Sequence, residues 1–211
     1  NKMTSPLHNS SSRWANVQLD RETERKAALE TVVLLSAVKD QAQKALAQRS
    51  EHELCWEFSF NQFQPEHIDF ILATIGTGEV RISIDNGRVK LEETAIPALW
   101  HVQNSQTHSL VLALMPPVVG DAINQIEGRL EIPQETPPNV FAAPSILQEL
   151  QVALEKTDLT HLTHDPAFMV ELTRQPLDTQ DRDFLMKVMG EGLIEIWQSG
   201  FASAYIRSTQ I

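Results

Sequence analysis

Two histidines three residues apart and an adjoining aspartate, His161-Leu-Thr-His164-Asp165, form the run in this chain with metal-like spacing. On a helix, imidazoles at i and i+3 plus a carboxylate would hold zinc or nickel. Pro166 and the neighbouring threonines favour a loop instead, which would need a further ligand from elsewhere, so the expectation is a solvated loop and no metal site. His101 precedes the polar stretch Asn104–Ser109 and His108 lies near its end, with Glu92 and Glu93 shortly before them. Such a set is capable of acid–base work. The chain supplies no nucleophile motif beside it: Gly-x-Ser-x-Gly, His-Glu-x-x-His, Gly-x-Gly-x-x-Gly and the P-loop are all missing, and Gly76-Thr-Gly78 is too short to cradle a phosphate. Surface polar positions on strand and turn are therefore the expectation for both histidines, with no catalytic residue and no cofactor.

Cys55 is the single cysteine, which excludes an internal disulfide, a Cys-x-x-Cys redox pair and a thiolate cluster built by one chain. Its place in the apolar run Leu54–Phe60 predicts a small buried hydrophobe. Trp100 and Trp197 are the candidates for contact with a protein partner. Each falls in a strand pattern, and Ile196 is the apolar-face residue of its strand, so Trp197 points to the opposite face. Tryptophan is enriched at interface hot spots. The competing reading is that a second layer covers them.

The elements that must position these residues read as follows. Of the 211 residues, 42% are hydrophobic and 21% charged, an ordinary globular balance. A formal net charge of −11 argues against nucleic acid or an anionic membrane as partner. The longest apolar runs fall far short of the roughly 18 residues a membrane span needs, and a soluble, cytoplasmic protein is expected. Residues 1–21 form a polar tail. Glu22 to Arg49 reads as a long amphipathic helix with the stripe Leu29, Val32, Val33, Leu35, Val38, Ala42, Ala45 and Leu46. Trp56, Phe58 and Phe60 alternate in a strand.

From there the chain repeats a plan. A helix starting at Pro65 carries Ile68, Ile71, Leu72 and Ile75, stops at Gly76, and gives way to Val80, Ile82 and Ile84 alternating with polar residues. Asn86-Gly87 marks a type I′ hairpin turn, and Val89 and Leu91 return. The second copy starts a helix after Asp178, stops at Gly190, and runs out through Ile194 and Ile196, turns at Ser199-Gly200 and returns through Ala202, Ala204 and Ile206. Gly190 and Gly192 stand 114 positions after Gly76 and Gly78. Each first glycine is placed for a left-handed helix cap. Ala98–Gln103 and Leu110–Met115 read as two further strands and Val118–Ile126 as a short helix, while three prolines in Glu131–Asn139 mark a linker. Ser145–Lys156 is again an amphipathic helix, with Phe168–Leu172 as the counterpart of the aromatic strand. In the copy at 144–211 no strand patterns follow Thr209-Gln-Ile211 like those that follow Thr94-Ala-Ile96, and a continuation beyond it is expected. The organisation predicted is an α+β protein of two tandem units, 22–130 and 144–211, joined by a Pro-rich linker at 131–143, each with helices on a mainly antiparallel sheet. Pairing of units, within the chain or in a homodimer, would cover sheet edges.

The core Glu-Thr-Ala-x-Pro-x-x-Trp within Glu92–Val102, with Gly190-Glu-Gly192 and Ile206-Arg-Ser-Thr209 as a second copy, resembles the C-terminal region of the HupH/HyaF family of hydrogenase expression and formation proteins. That resemblance covers about residues 25–211. It implies a non-enzymatic accessory role in [NiFe] hydrogenase biosynthesis, with a hydrogenase subunit (the small, iron–sulfur subunit favoured) or another maturation protein as partner. An enzyme of unrecognised type, built on His101, His108 and Glu93, and a metal or iron–sulfur carrier are the alternatives.

Overall fold

The computed structural model describes residues 19–48, 55–126, 129–156 and 168–211. Its contacts define two compact units, Asn1–Ile123 with Ile194–Ile206, and Asn124–Leu193 with Arg207–Ile211. This division cuts across the sequence repeat because the second hairpin joins the sheet of the first copy.

In the first unit, α1 (Arg21–Gln48) and α2 (Pro65–Ile75) accompany strands β1 (Cys55–Ser59), β2 (Thr77–Ile84), β3 (Val89–Thr94), β4 (Leu99–Gln103) and β5 (His108–Ala113), followed by α3 (Pro117–Ile123). β6 (Ile194–Gln198) and β7 (Ala204–Arg207) complete a seven-stranded sheet in the order β1-β5-β4-β3-β2-β6-β7. Its pairings from β1 to β6 are antiparallel, giving the α+β class. One face packs Leu99, Leu110 and Leu112 against Leu34 and Val38 of α1 and Ile68, Ile71, Leu72 and Ile75 of α2. The other gathers Ile82, Ile84, Leu91, Trp100 and Val102 with Val119 and Ala122 of α3. Glu30 and His67 tie α1 to α2 through a 2.7 Å contact.

The turn chemistry follows the sequence. Asn86 and Gly87 both take positive φ, 53° and 88°, and Arg88 N donates to Asp85 O at 3.1 Å across them. The two helix stops share one geometry: Gly76 has φ 76° and ψ 178°, Gly190 φ 67° and ψ 176°, each donating its N–H to the carbonyl four residues back, of Leu72 and of Met186. Positive φ with extended ψ is not the left-handed helical cap predicted. It is a region open essentially to glycine alone, and it sends the chain straight into a strand.

The β2–β6 ladder carries the repeat into three dimensions. Ile82 faces Ile196, Val80 faces Gln198 and Ile84 faces Ile194. At the repeat offset, Ile82 corresponds to Ile196, Val80 to Ile194 and Ile84 to Gln198, so exchanging the copies returns the same pairs. The two outgoing strands are thus related by a pseudo-twofold axis normal to the sheet at Ile82–Ile196, an isologous contact made within one chain.

Three expectations are corrected. Cys55 is exposed, because it begins an edge strand and shares the open face with Glu57 and Ser59, opposite Trp56 and Phe58. The broad stripe of α1 splits: Ala27, Thr31, Leu34 and Val38 are buried, whereas Leu29, Val32, Val33 and Leu46 face outward. Phe168–Leu172 is not a strand; irregular chain leads there into a 3₁₀ turn at Leu172–Arg174.

The second unit holds α4 (Ala143–Lys156) and α5 (Thr179–Met189) around Ile146, Leu147 and Leu185. Leu130 and Val140, flanking the Pro-rich stretch, are buried in the same cluster, so that stretch is packed against the helices at both ends. Asp178 caps α5, accepting from Asp181 N at 2.8 Å. One Oδ1 of the enclosed Asp181 accepts the N–H groups of Phe141, Ala142 and Ala143, each at 2.9 Å, and so serves the start of α4 from another helix.

Candidate interaction surface

β4 and β5 bring His101 and His108 together. Strand pairing sets Gln103 against His108 and His101 against Leu110, and the two imidazoles meet at 2.6 Å between their Nε2 atoms. His101 is 7% exposed, and the ring of His108 also stands edge-on to Phe60 at 5.2 Å between centroids. Glu92 is the residue opposite His101, while Glu93 is opposite Trp100 and therefore on the other face. The proposed trio of His101, His108 and Glu93 is not assembled. Among the described residues no group of three or more His, Cys, Asp and Glu side chains is arranged to hold a metal ion. His161, His164 and Asp165 lie outside the described residues, as does Leu54.

The histidine pair has a titration consequence. Burial lowers the pKa of His108 from its ordinary 6.5, and the more weakly acting Asp69 pulls it the other way. A depressed histidine pKa means that the folded state binds fewer protons than the unfolded chain. The associated stability is complete above the ordinary value and declines as pH falls from 6.5 toward the lowered one. Thermal melts of the His108→Phe variant are expected to lose that slope, and a wild-type slope in the variant would assign it to other groups.

The two tryptophans part company. Trp100 is 4% exposed, with its indole N–H donating to Ala113 O at 3.1 Å. It fills the core over α3, since β4 lies in the middle of the sheet and is covered on both faces, and it offers a partner nothing. Trp197 lies opposite Arg81, on the face away from Ile196 as expected, and is partly exposed. Its ring lies over Tyr205, 5.6 Å away with the planes 34° apart, and Tyr205 Oη donates to Glu195 Oε1 at 2.6 Å. Tyr205 is 54% exposed and Phe201, at the hairpin tip, is open to solvent. The hairpin thus presents three aromatic residues. Tyr205 was missed in the sequence, although Trp197 and Tyr205 are equally spaced about Phe201, a symmetry that sets them opposite each other across a hairpin.

Fold and surface together define an α+β protein built on a doubled helix–glycine–hairpin unit, with an aromatic cluster on the second hairpin. The chain belongs to the family described as HupH hydrogenase expression protein, C-terminal conserved region, which it matches over residues 29–128 and 140–211. It is 26% identical over 152 residues to the hydrogenase expression/formation protein HoxQ of Cupriavidus necator; the match takes in 69% of this chain and 52% of HoxQ, so the chain spans about half the length of that relative. The solved structure of the hydrogenase expression protein HupH from Thiobacillus denitrificans is similar over 62% of this chain and 97% of that one, at 20% identity and a TM-score of 0.37, too low to bear on architecture. Among the described residues, no helix is long and apolar enough to cross a membrane.

Proposed function

We propose that this protein is an accessory factor in [NiFe] hydrogenase biosynthesis that acts by binding a protein: a hydrogenase subunit, the small iron–sulfur subunit in the first place, or another maturation factor. Family membership carries the pathway. The mode of action rests on the surface of the second hairpin, where Trp197, Tyr205 and Phe201 supply rigid aromatic area of the kind that anchors protein interfaces. The role is non-enzymatic and cytoplasmic, and Trp197 is its contact residue; Trp100 is withdrawn from that role by its burial.

An anaerobic pull-down of the protein against separately expressed hydrogenase small and large subunits tests this. The small subunit is expected to be retained, and Trp197→Ala is expected to weaken retention by roughly 30-fold, the cost of about 2 kcal/mol that defines a hot spot. Because Trp197 is partly exposed, the variant should melt close to wild type. Retention of neither subunit would sink the reading, and full retention by the variant would move the contact off this hairpin.

A further inference from the structure

The second unit carries a groove of about 630 Å³, a volume in the range that holds a drug-sized ligand or a short run of peptide. One wall is the Pro-rich stretch, through Glu131, Pro133, Glu135 and Pro137. The other is a single stripe of α5, through Asp183, Phe184, Lys187 and Val188, spaced as neighbours on one helix face. Both walls are held by the fold itself. Leu130 and Val140, at the two ends of the Pro-rich stretch, are buried in one cluster with Leu185 of α5. Immediately after Val140 the chain is tied to α5 again, by the three 2.9 Å hydrogen bonds from Phe141, Ala142 and Ala143 to Asp181. The groove therefore stands open without a ligand to shape it. Its prolines have no N–H to offer, so the Pro-rich wall is ill suited to adding a strand and recognition falls to side chains. Three of these are carboxylates, Glu131, Glu135 and Asp183, against the one cation of Lys187. All four are exposed, and among the described residues none of them is in an ion pair. Phe184 and Val188 are half-buried and give the groove its apolar part.

We infer that this groove binds a basic segment of a partner polypeptide, with arginine or lysine heads on Glu131, Glu135 and Asp183 and aliphatic side chains against Phe184 and Val188. Charge decides the sign of the partner, because an acidic segment would meet three carboxylates and only one cation. The apolar part suits long basic side chains, whose methylene stems cover such surface while the head stays wet, and a guanidinium is drawn to the face of an aromatic ring such as Phe184. A second copy of this chain is a poor occupant, since its own formal charge is −11. The stretch 131–139 also falls between the matched regions 29–128 and 140–211, so this wall is a feature of the chain outside the family's conserved region. The groove uses none of the residues of the aromatic hairpin, and the Trp197 reading can fail without it.

The probe is an acetylated and amidated heptapeptide of alternating arginine and leucine, titrated calorimetrically into the whole protein at about 50 mM salt, where screening is weak. Saturable binding of one peptide per chain is expected. Glu135→Gln combined with Asp183→Asn should weaken it about fivefold or more, and should melt near wild type because both positions are exposed. Asp40→Asn combined with Glu155→Gln removes the same charge from exposed positions outside the groove and should change binding by less than about twofold. Lys187→Glu works in the opposite direction: it adds a carboxylate to the α5 wall and should tighten binding about twofold or more, which keeps the test open should the first variant unfold. Serine in place of the leucines should weaken the peptide, and glutamate in place of the arginines should abolish binding. The inference is overturned if the basic peptide fails to bind, if the acidic peptide binds as well, or if the two double variants weaken it equally. That last result would mean attraction to the acidic chain as a whole.

Discussion

Gly78→Ala is expected to destabilise the first unit by about 3 kcal/mol, the upper end of what overpacking costs, and to lower the melting temperature by roughly 6–12 °C for a chain of this size. An added Cβ at Gly78 would stand 2.6 Å from the carbonyl oxygen of Thr94, a backbone atom that cannot swing aside. Thr94 is held in turn, since its hydroxyl makes the corner with Ile96 and leads into β4. Moving it would disturb the β2–β3 pairing at Thr77↔Thr94. Gly192 is placed likewise in the second unit: its N–H donates to Ser208 O at 2.9 Å, and a Cβ there would run into Ser208 and the Thr209 carbonyl. Alanine at Gly192 should therefore be comparably damaging. Gly76→Ala differs in cause. There the nearest obstacle is Ala95 Cβ at 3.3 Å, and the cost comes from a backbone conformation closed to L-residues, about 1–3 kcal/mol. Melts of all three variants check this, and a Gly78→Ala protein that melts within a degree or two of wild type would show that the corner yields.

The Gly-x-Gly motif was therefore legible as a repeat, but its two glycines do different things, and only the first role could be read locally. Helix starts, the Asn86-Gly87 turn and the strands around Ile82 and Leu91 follow from periodicity and turn chemistry, which are local, and they appear where those signals put them. The failures come from pairing between distant segments. Alternation in Cys55–Ser59 said that two faces differ, yet not which face the helices would cover, and so Cys55 was assigned to the wrong one. Residues on β4 are buried on both faces because α1 and α2 cover one side of the sheet there and α3 the other, which took Trp100 out of reach of a partner. The apolar residues of α1 suffice for more than one packing face, and nothing local distinguishes Leu34 from Val33. His101 and His108 meet only because the intervening loop sets β4 and β5 in a register that juxtaposes them. The wider candidate surface was half legible. Trp197 was found by strand alternation, whereas Tyr205 needed the hairpin register to be known.

Asp181 shows the same limit most plainly, and its removal should have the largest effect of any polar substitution in the second unit. In the sequence it is a third-position acidic residue of α5, where a carboxylate favours the helix N-terminus. In the fold it is 2% exposed, and one oxygen accepts three N–H groups at the start of α4, some 40 positions away. Asp181→Ala leaves those donors enclosed without an acceptor, so the unit should lose cooperative unfolding, and truncation of a neighbouring exposed polar residue should not reproduce this. The charge is separable from the acceptor. Hydrogen bonds from Ala143, Ala142 and Phe141, the first acting most strongly, outweigh burial and hold the carboxyl below its ordinary pKa of 3.8. A depressed carboxylate pKa means that the unfolded chain binds more protons, so the stabilisation is complete above the ordinary value and is lost as pH falls through the folded one. Asp181→Asn keeps an acceptor oxygen and removes the charge. It should be less stable than wild type at neutral pH, and the two should converge as the pH is lowered below 3.8, where the native carboxyl is titrated as well. A gap that stays constant across that range would mean that Asp181 acts through its shape and not through its charge.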